Sequence, residues 1–113
     1  MFSKLEAIIR PFKLEEVKVR LMTFGVPGIT VTNVMGCGKQ IGGIERSKGV
    51  EYDSELIEKV KIEIVVMNEH IDELIEIIIN AVWTGEIGDG KIFVSPVSSV
   101  IRIRTQDKDL DAI

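Results

Sequence analysis

The chain has 113 residues, 45% of them hydrophobic and 28% charged, which suits one globular domain over 1–113 and excludes a disordered segment. Its formal net charge of −4 excludes a generally basic nucleic-acid binder, so no direct nucleic-acid partner is expected. The N-terminal stretch MFSKLEAIIRPFK has no secretory core, no apolar run approaches the roughly 20 residues that span a bilayer, and the lone Cys37 cannot form an internal disulfide, so a cytoplasmic location is expected.

The chain says the same thing twice. KLEAII (4–9) recurs as KIEIVV (61–66), each a short apolar run with Glu at its third position. Period-2 patterning and β-branched content predict strands. After the first run, Leu14, Val17, Leu21 and Phe24 fall at helical spacing, between Pro11 and a stop at Gly25. A second strand is predicted over GITVTNVMG (28–36). Residues 37–59 follow, polar and glycine-rich, far too long for a hairpin, and therefore expected to be a functional loop. After the second run, Ile71, Leu74, Ile75, Ile78 and Val82 predict another helix, with Asn68 as N-cap and Gly85 at its close. His70 is expected near the surface at its start. KIFVSPVSSV (91–100) predicts a further strand, and VIRIRT (100–105), strictly alternating, an extra one. Two βαβ units in tandem predict an α+β, ferredoxin-like βαββαβ sandwich with a long loop between strands 2 and 3. Such a sheet leaves one face bare, which favours self-association.

Three stretches carry candidate chemistry. GEIGDGKI (85–92) matches the start of the P-loop G-x-x-x-x-G-K-[ST], but Ile92 occupies the hydroxyl position and the order is helix-to-strand, so a P-loop is excluded. An ordinary helix cap and turn has this composition too. Three glycines in six residues nevertheless let backbone amides approach an anion, with Lys91 beside them. In RIR, Arg102 and Arg104 sit two apart on a predicted strand and would face one way, as two guanidiniums do for a polyphosphate; a solvated strand face reads the same. GCGKQ (36–40) is either a strand exit or a second anion nest, and Gln40 offers a neutral oxygen to a hard cation. No nucleophile–base pair stands out. A small-molecule sensor fits this inventory better than an enzyme does.

TGEIGDGKIFV (84–94), AIIRPFKLEEV (7–17), VKIEIVV (60–66) and VIRIRTQDKDLDAI (100–113) resemble the P-II nitrogen-regulatory signal-transduction family over the whole chain. The resemblance implies a homotrimer with ATP or ADP in the clefts between subunits. Residue by residue, Gly88, Asp89, Gly90 and Lys91 match the loop around the phosphates, and Arg102 and Arg104 match arginines arriving from the next subunit. Ile8, Thr30, Glu63 and Val65 match positions around the adenosine. Gly38, Lys39 and Gln40 match the base of the T-loop, approximately 37–56, where Gln40 would hold Mg²⁺ with ATP. The effector 2-oxoglutarate would chelate that Mg²⁺, with Lys59 on its distal carboxylate and Gly38, Gln40, Ile41 and Gly42 completing the site. Tyr52 matches the family's uridylylated tyrosine, although SKGVEY (47–52) places Ser47 and Val50 where the family often has a tyrosine and a small residue. Lys39 replaces a common arginine, and Glu86 reverses a frequent lysine.

The implied function is control of nitrogen-assimilation proteins through the T-loop. Family targets include ammonium channels, glutamine-synthesis enzymes, sensor kinases and nitrogenase, so a membrane is reached only through a channel partner. The alternative is a slow nucleotide-hydrolysing enzyme on the same fold.

Overall fold

The computed structural model describes residues 1–37, 39–41, 50–52 and 56–113, with backbone only for 39–41 and 50–52. Four antiparallel strands form the main sheet: β1 (Phe2–Ile9), β2 (Thr30–Gly36), β5 (Ile57–Met67) and β6 (Lys91–Val97), in the order β2-β5-β1-β6. Helices α1 (Leu14–Phe24) and α2 (Ile71–Val82) follow β1 and β5. This is the α+β arrangement that the duplicated βαβ pattern predicts.

Register explains the burial. Leu5 pairs with Ile64, Ala7 with Ile62 and Ile9 with Val60, so these six point to one face of the sheet. They form the core with Val17 and Leu21 of α1 and Leu74, Ile78, Ala81 and Val82 of α2. The intervening residues Lys4, Glu6, Lys61 and Glu63 share the opposite face. There Lys4 Nζ lies 3.2 Å from Glu63 and 3.7 Å from Glu6, and Lys61 Nζ lies 3.9 Å from Glu6. The hydrogen bond with Glu63 raises the Lys4 pKa.

α1 ends as expected. Gly25 takes a left-handed φ of 104°, and the amides of Gly25 and Val26 both donate to the Leu21 carbonyl, which closes the helix without a β-carbon clash. α2 departs from expectation at both ends. Asn68 lies in a 3-10 turn (Asn68–His70) with no side-chain cap; its Oδ1 instead accepts from Ser3 Oγ at 2.6 Å and its amide donates to the Met1 carbonyl. Tertiary contact with the start of β1 outcompetes the local cap. α2 stops at Val82, and Gly85 (φ 85°) belongs to the turn beyond it. His70 sits in that 3-10 turn, partly exposed, with its ring edge-on to Phe24 at 5.5 Å.

Two further expectations need correction. β5 begins at Ile57, so Glu58 and Lys59 belong to a strand and not to the loop. Within that long segment, β3 (Lys39–Ile41) and β4 (Val50–Tyr52) pair antiparallel as a separate ribbon, Lys39 opposite Tyr52. The alternating stretch 100–105 forms no extra strand. Among the described residues only one bridge joins Ile101 to Lys108, across a tight turn in which Gln106 has positive φ, as does Asp109 just beyond it. The Asp107 carboxylate accepts from Arg102 Nη1 (3.0 Å) and Thr105 Oγ1 (2.7 Å), which folds the segment back before it can extend along the sheet. No helix among the described residues is long and apolar enough to cross a membrane.

Candidate functional site

The turn between α2 and β6 is built around one carboxylate. Asp89 Oδ2 accepts the backbone N–H of Thr84 at 2.8 Å and of Gly85 at 2.9 Å. Its Oδ1 accepts from the Thr84 hydroxyl and from Arg10 Nη1. Thr84 Oγ1 in turn accepts from the Glu86 amide (3.1 Å) and from Arg10 Nη1 (3.3 Å). Two amides that α2 leaves beyond its last turn thus find a charged acceptor. The Thr84 hydroxyl and amide, then Arg10 and Gly85, hold the Asp89 pKa far below the ordinary carboxylate value of 3.8.

Because the folded pKa is depressed, this carboxylate contributes stability that is fully present above 3.8 and is lost as pH falls through 3.8 toward the folded value. Asp89→Ala is therefore expected to lower stability at neutral pH and to flatten its decline below pH 4. Urea denaturation at stepped pH checks this; a parallel decline in both proteins would remove Asp89 from the account.

Arg10, at the end of β1, also donates from Nη2 to the Ile87 carbonyl at 2.9 Å. Lys59 of β5 donates from Nζ to the Gly88 carbonyl at 3.0 Å. Gly88 and Gly90 have φ of 104° and 113°, where a β-carbon is strained. A β-carbon on Gly90 would lie 1.9 Å from the Ile8 carbonyl oxygen, so the turn can cross the end of β1 only as glycine. Lys91 then opens β6 opposite Ile8, and among the described residues it has no ion pair. The partly buried Ile92 packs against the core, as strand alternation requires. On the helix side, the Trp83 ring lies over Gly85 and borders an apolar cavity of about 340 Å³ with Ile9, Ile79, Val82 and Val94.

The other predicted residues gather elsewhere. Thr30 pairs with Glu63 across β2 and β5. Thr30, Glu63 and Val65 line a second cavity of about 320 Å³ with Lys4, Val100 and Ile113. The segment carrying Arg102 and Arg104 runs between those last two residues. Among the described residues, no hydrogen bond or ion pair joins either arginine to the glycine turn. β2 and β6 are the two edges of the sheet, about 14 Å apart at the usual strand spacing. One chain therefore carries a glycine–lysine turn at the β6 edge and Thr30 on the β2 edge, with Glu63 and Val65 beside it on the inner strand β5. Gly38 and Gly42, and the side chains of Lys39, Gln40, Ile41 and Tyr52, lie outside the described residues. Among those that are described, no group of three His, Cys, Asp or Glu is placed to hold a metal.

Sequence reasoning assigned no role to Arg10, Thr84 or Lys4. A Thr-Gly pair followed by Asp at the fifth position after Thr was the available signal for the first two, because that spacing lets one carboxylate reach both amides. The Lys4–Glu63 pair is legible only in the register.

The family model described as "Nitrogen regulatory protein P-II" matches residues 2–107. The chain is 56% identical over 111 residues to a nitrogen regulatory protein P-II of Synechocystis, covering 98% of this chain and 99% of that one. With its namesake from Rhizobium meliloti it shares 54% over the same coverage. Among solved structures it is similar to the B. subtilis GlnK–ATP complex, with TM-score 0.84, 39% identity and coverage of 99% and 97% of the two chains. Arabidopsis thaliana PII bound to citrate gives TM-score 0.80, 40% identity and coverage of 99% and 92%.

Proposed function

Given that the chain belongs to the P-II nitrogen regulatory family, we propose that it is a homotrimeric sensor that binds ATP or ADP between subunits, reads 2-oxoglutarate beside ATP, and controls nitrogen-assimilation proteins through its T-loop. The single observation that carries this reading is the division of the candidate residues between two edges of one sheet. Gly88, Asp89, Gly90, Lys91 and Ile8 lie at the β6 edge and the adjoining end of β1. Thr30, Glu63 and Val65 lie toward the β2 edge, with the Arg102 segment beside them. We infer that a nucleotide contacts both groups where the β6 edge of one copy meets the β2 edge of the next, and a closed ring of such heterologous contacts makes a trimer natural.

In that cleft, the glycine turn and Lys91 meet the phosphates from one side, and Arg102 and Arg104 from the other. Gln40 is the protein oxygen assigned to Mg²⁺, with the nucleotide's phosphates supplying further ligands. A cation held there would supply neutralisation of phosphate charge and coordination for a keto acid. Gly38, Gln40, Ile41 and Gly42 line the effector, and Lys59 takes its distal carboxylate. Lys39 adds a charge at the T-loop base. Because the keto acid chelates a metal that ATP already holds, each ligand raises the affinity of the other. Ligand binding at the base of the T-loop then selects among partners, which include channel, biosynthetic and kinase classes, all met from the cytoplasm. Tyr52 on β4 is the modification candidate. Hydrolysis is the weaker reading: both oxygens of Asp89, a carboxylate of the turn itself, are already committed to Thr84, Gly85 and Arg10, which leaves it a poor base.

Calorimetric titration of 2-oxoglutarate with MgATP, with MgADP and without nucleotide tests the proposal. Binding is expected only with MgATP; equal binding in all three would sink it. Turnover of ATP on the order of one per second or faster would replace the sensor with an enzyme.

A further inference from the structure

Two cations hold two successive carbonyls of the turn. Arg10 binds the Ile87 carbonyl and Lys59 binds the Gly88 carbonyl. In a trans peptide, C=O and N–H point in opposite directions. Each cation therefore fixes a peptide plane and turns the next amide, that of Gly88 or Asp89, away from itself. Among the described residues neither amide has a hydrogen-bond partner. Successive outward amides around a residue of positive φ, here Gly88, are the geometry that receives an anion. Among the described residues, no other hydrogen bond holds the Gly88–Asp89 plane. Asp89 is fixed through its side chain, and Gly88 lacks the β-carbon that would restrict rotation.

We propose that Lys59 is a positioning residue of the phosphate turn, orienting the Gly88–Asp89 peptide, and that an effector carboxylate drawing its ammonium away releases that peptide. This rests on the nucleotide and keto-acid reading above and deepens it. The ammonium assigned to the effector already has an acceptor in the nucleotide turn, so the two sites share a side chain as well as a metal. In the wild-type chain the shared ammonium therefore offsets part of the mutual gain made through the metal, because the effector that chelates beside ATP also withdraws the lysine that orients the turn.

The test uses the full chain with Lys59→Met, which removes the donor, and Lys59→Arg, which keeps one. MgATP is titrated without keto acid. The ¹⁵N resonance of the Asp89 amide, which responds to hydrogen bonding at the preceding carbonyl, is followed with no ligand present. Lys59→Met is expected to weaken ATP at least fivefold and to move the Asp89 resonance; Lys59→Arg is expected to stay within twofold and to hold the resonance in place. Adding 2-oxoglutarate to the wild-type MgATP complex should move the resonance in the direction set by Lys59→Met. Wild-type affinity in Lys59→Met overturns the proposal. So does weakened affinity with an unmoved resonance, because the lysine would then act by charge alone. No shift, or an opposite shift, on adding keto acid overturns the shared ammonium. If the wild-type protein binds no nucleotide, the sensor reading fails, while the ligand-free resonance still decides whether Lys59 orients the peptide.

Discussion

Gly90→Ala is expected to destabilise the protein by about 2–5 kcal/mol and to abolish nucleotide binding. Two penalties combine. The left-handed conformation costs a β-carbon roughly 1–2 kcal/mol, and forcing atoms into a filled space typically costs a further 1–3 kcal/mol. The obstacle at Gly90 is the Ile8 carbonyl oxygen, 1.9 Å from the would-be β-carbon. That oxygen belongs to β1, a central strand whose register is set on both sides by β5 and β6, so it cannot swing aside as a flexible side chain would. The turn must move instead, and Lys91 loses its place opposite Ile8. Urea denaturation at matched protomer concentration and calorimetry with ATP check this. A loss below about 1 kcal/mol would mean the turn accommodates a methyl group and the close crossing is not required. Gly85→Ala makes a useful contrast: its β-carbon would meet only the Trp83 ring, at 3.1 Å, and an exposed side chain can rotate away.

Arg102→Ala is expected to weaken ATP binding by about 1.5–3 kcal/mol, the usual range for a hydrogen bond to a charged group, or roughly 10- to 150-fold in Kd. Stability of the fold should change little, because Arg102 is partly exposed and its side-chain partners, Asp107 and Thr105, lie in its own turn. Those partners also hold the guanidinium ready, which favours binding by lowering the ordering cost. Arg102→Lys should recover only part of the loss, since lysine keeps the charge without the planar fork. Unchanged ATP affinity in the alanine variant would remove Arg102 from the nucleotide site. Mixing Arg102→Ala subunits with Lys91→Ala subunits gives a sharper check. In a mixed trimer some clefts inherit both intact residues and some neither, so partial binding should reappear only if the two residues come from different chains.

The chain pattern alone made the fold legible. Two apolar runs with Glu at the third position, each followed by helical spacing, require two strands and two helices, because burial on one sheet face and one helix stripe is the dominant favourable term in folding. Gly25 stops α1 for a purely local reason, and its role could be read without tertiary structure. The candidate site was partly legible. The glycine spacing around Lys91 marked a candidate anion turn, yet a turn's composition does not say which peptide planes are held, or by what. Arg10, 79 positions before Asp89, and Lys59, 29 before Gly88, lie too far away along the chain for any local rule to connect them.

Where local rules failed, a tertiary contact had a stronger claim on the same group. Asn68 has the right chemistry for a cap but is taken by Ser3. The alternation of 100–105 fits a strand, but Asp107 and two positive-φ residues turn it back. The sequence by itself determined the elements, the core faces and the residue types available for phosphate, since these follow from periodicity and side-chain chemistry. Only the tertiary structure decided which carboxylate closes the turn, which carbonyls hold Arg10 and Lys59, why Gly90 admits no side chain, and that the candidate residues divide between two edges of the sheet. Those facts depend on β1 running between β5 and β6, a pairing of distant segments whose consequences for individual atoms no short window of sequence contains.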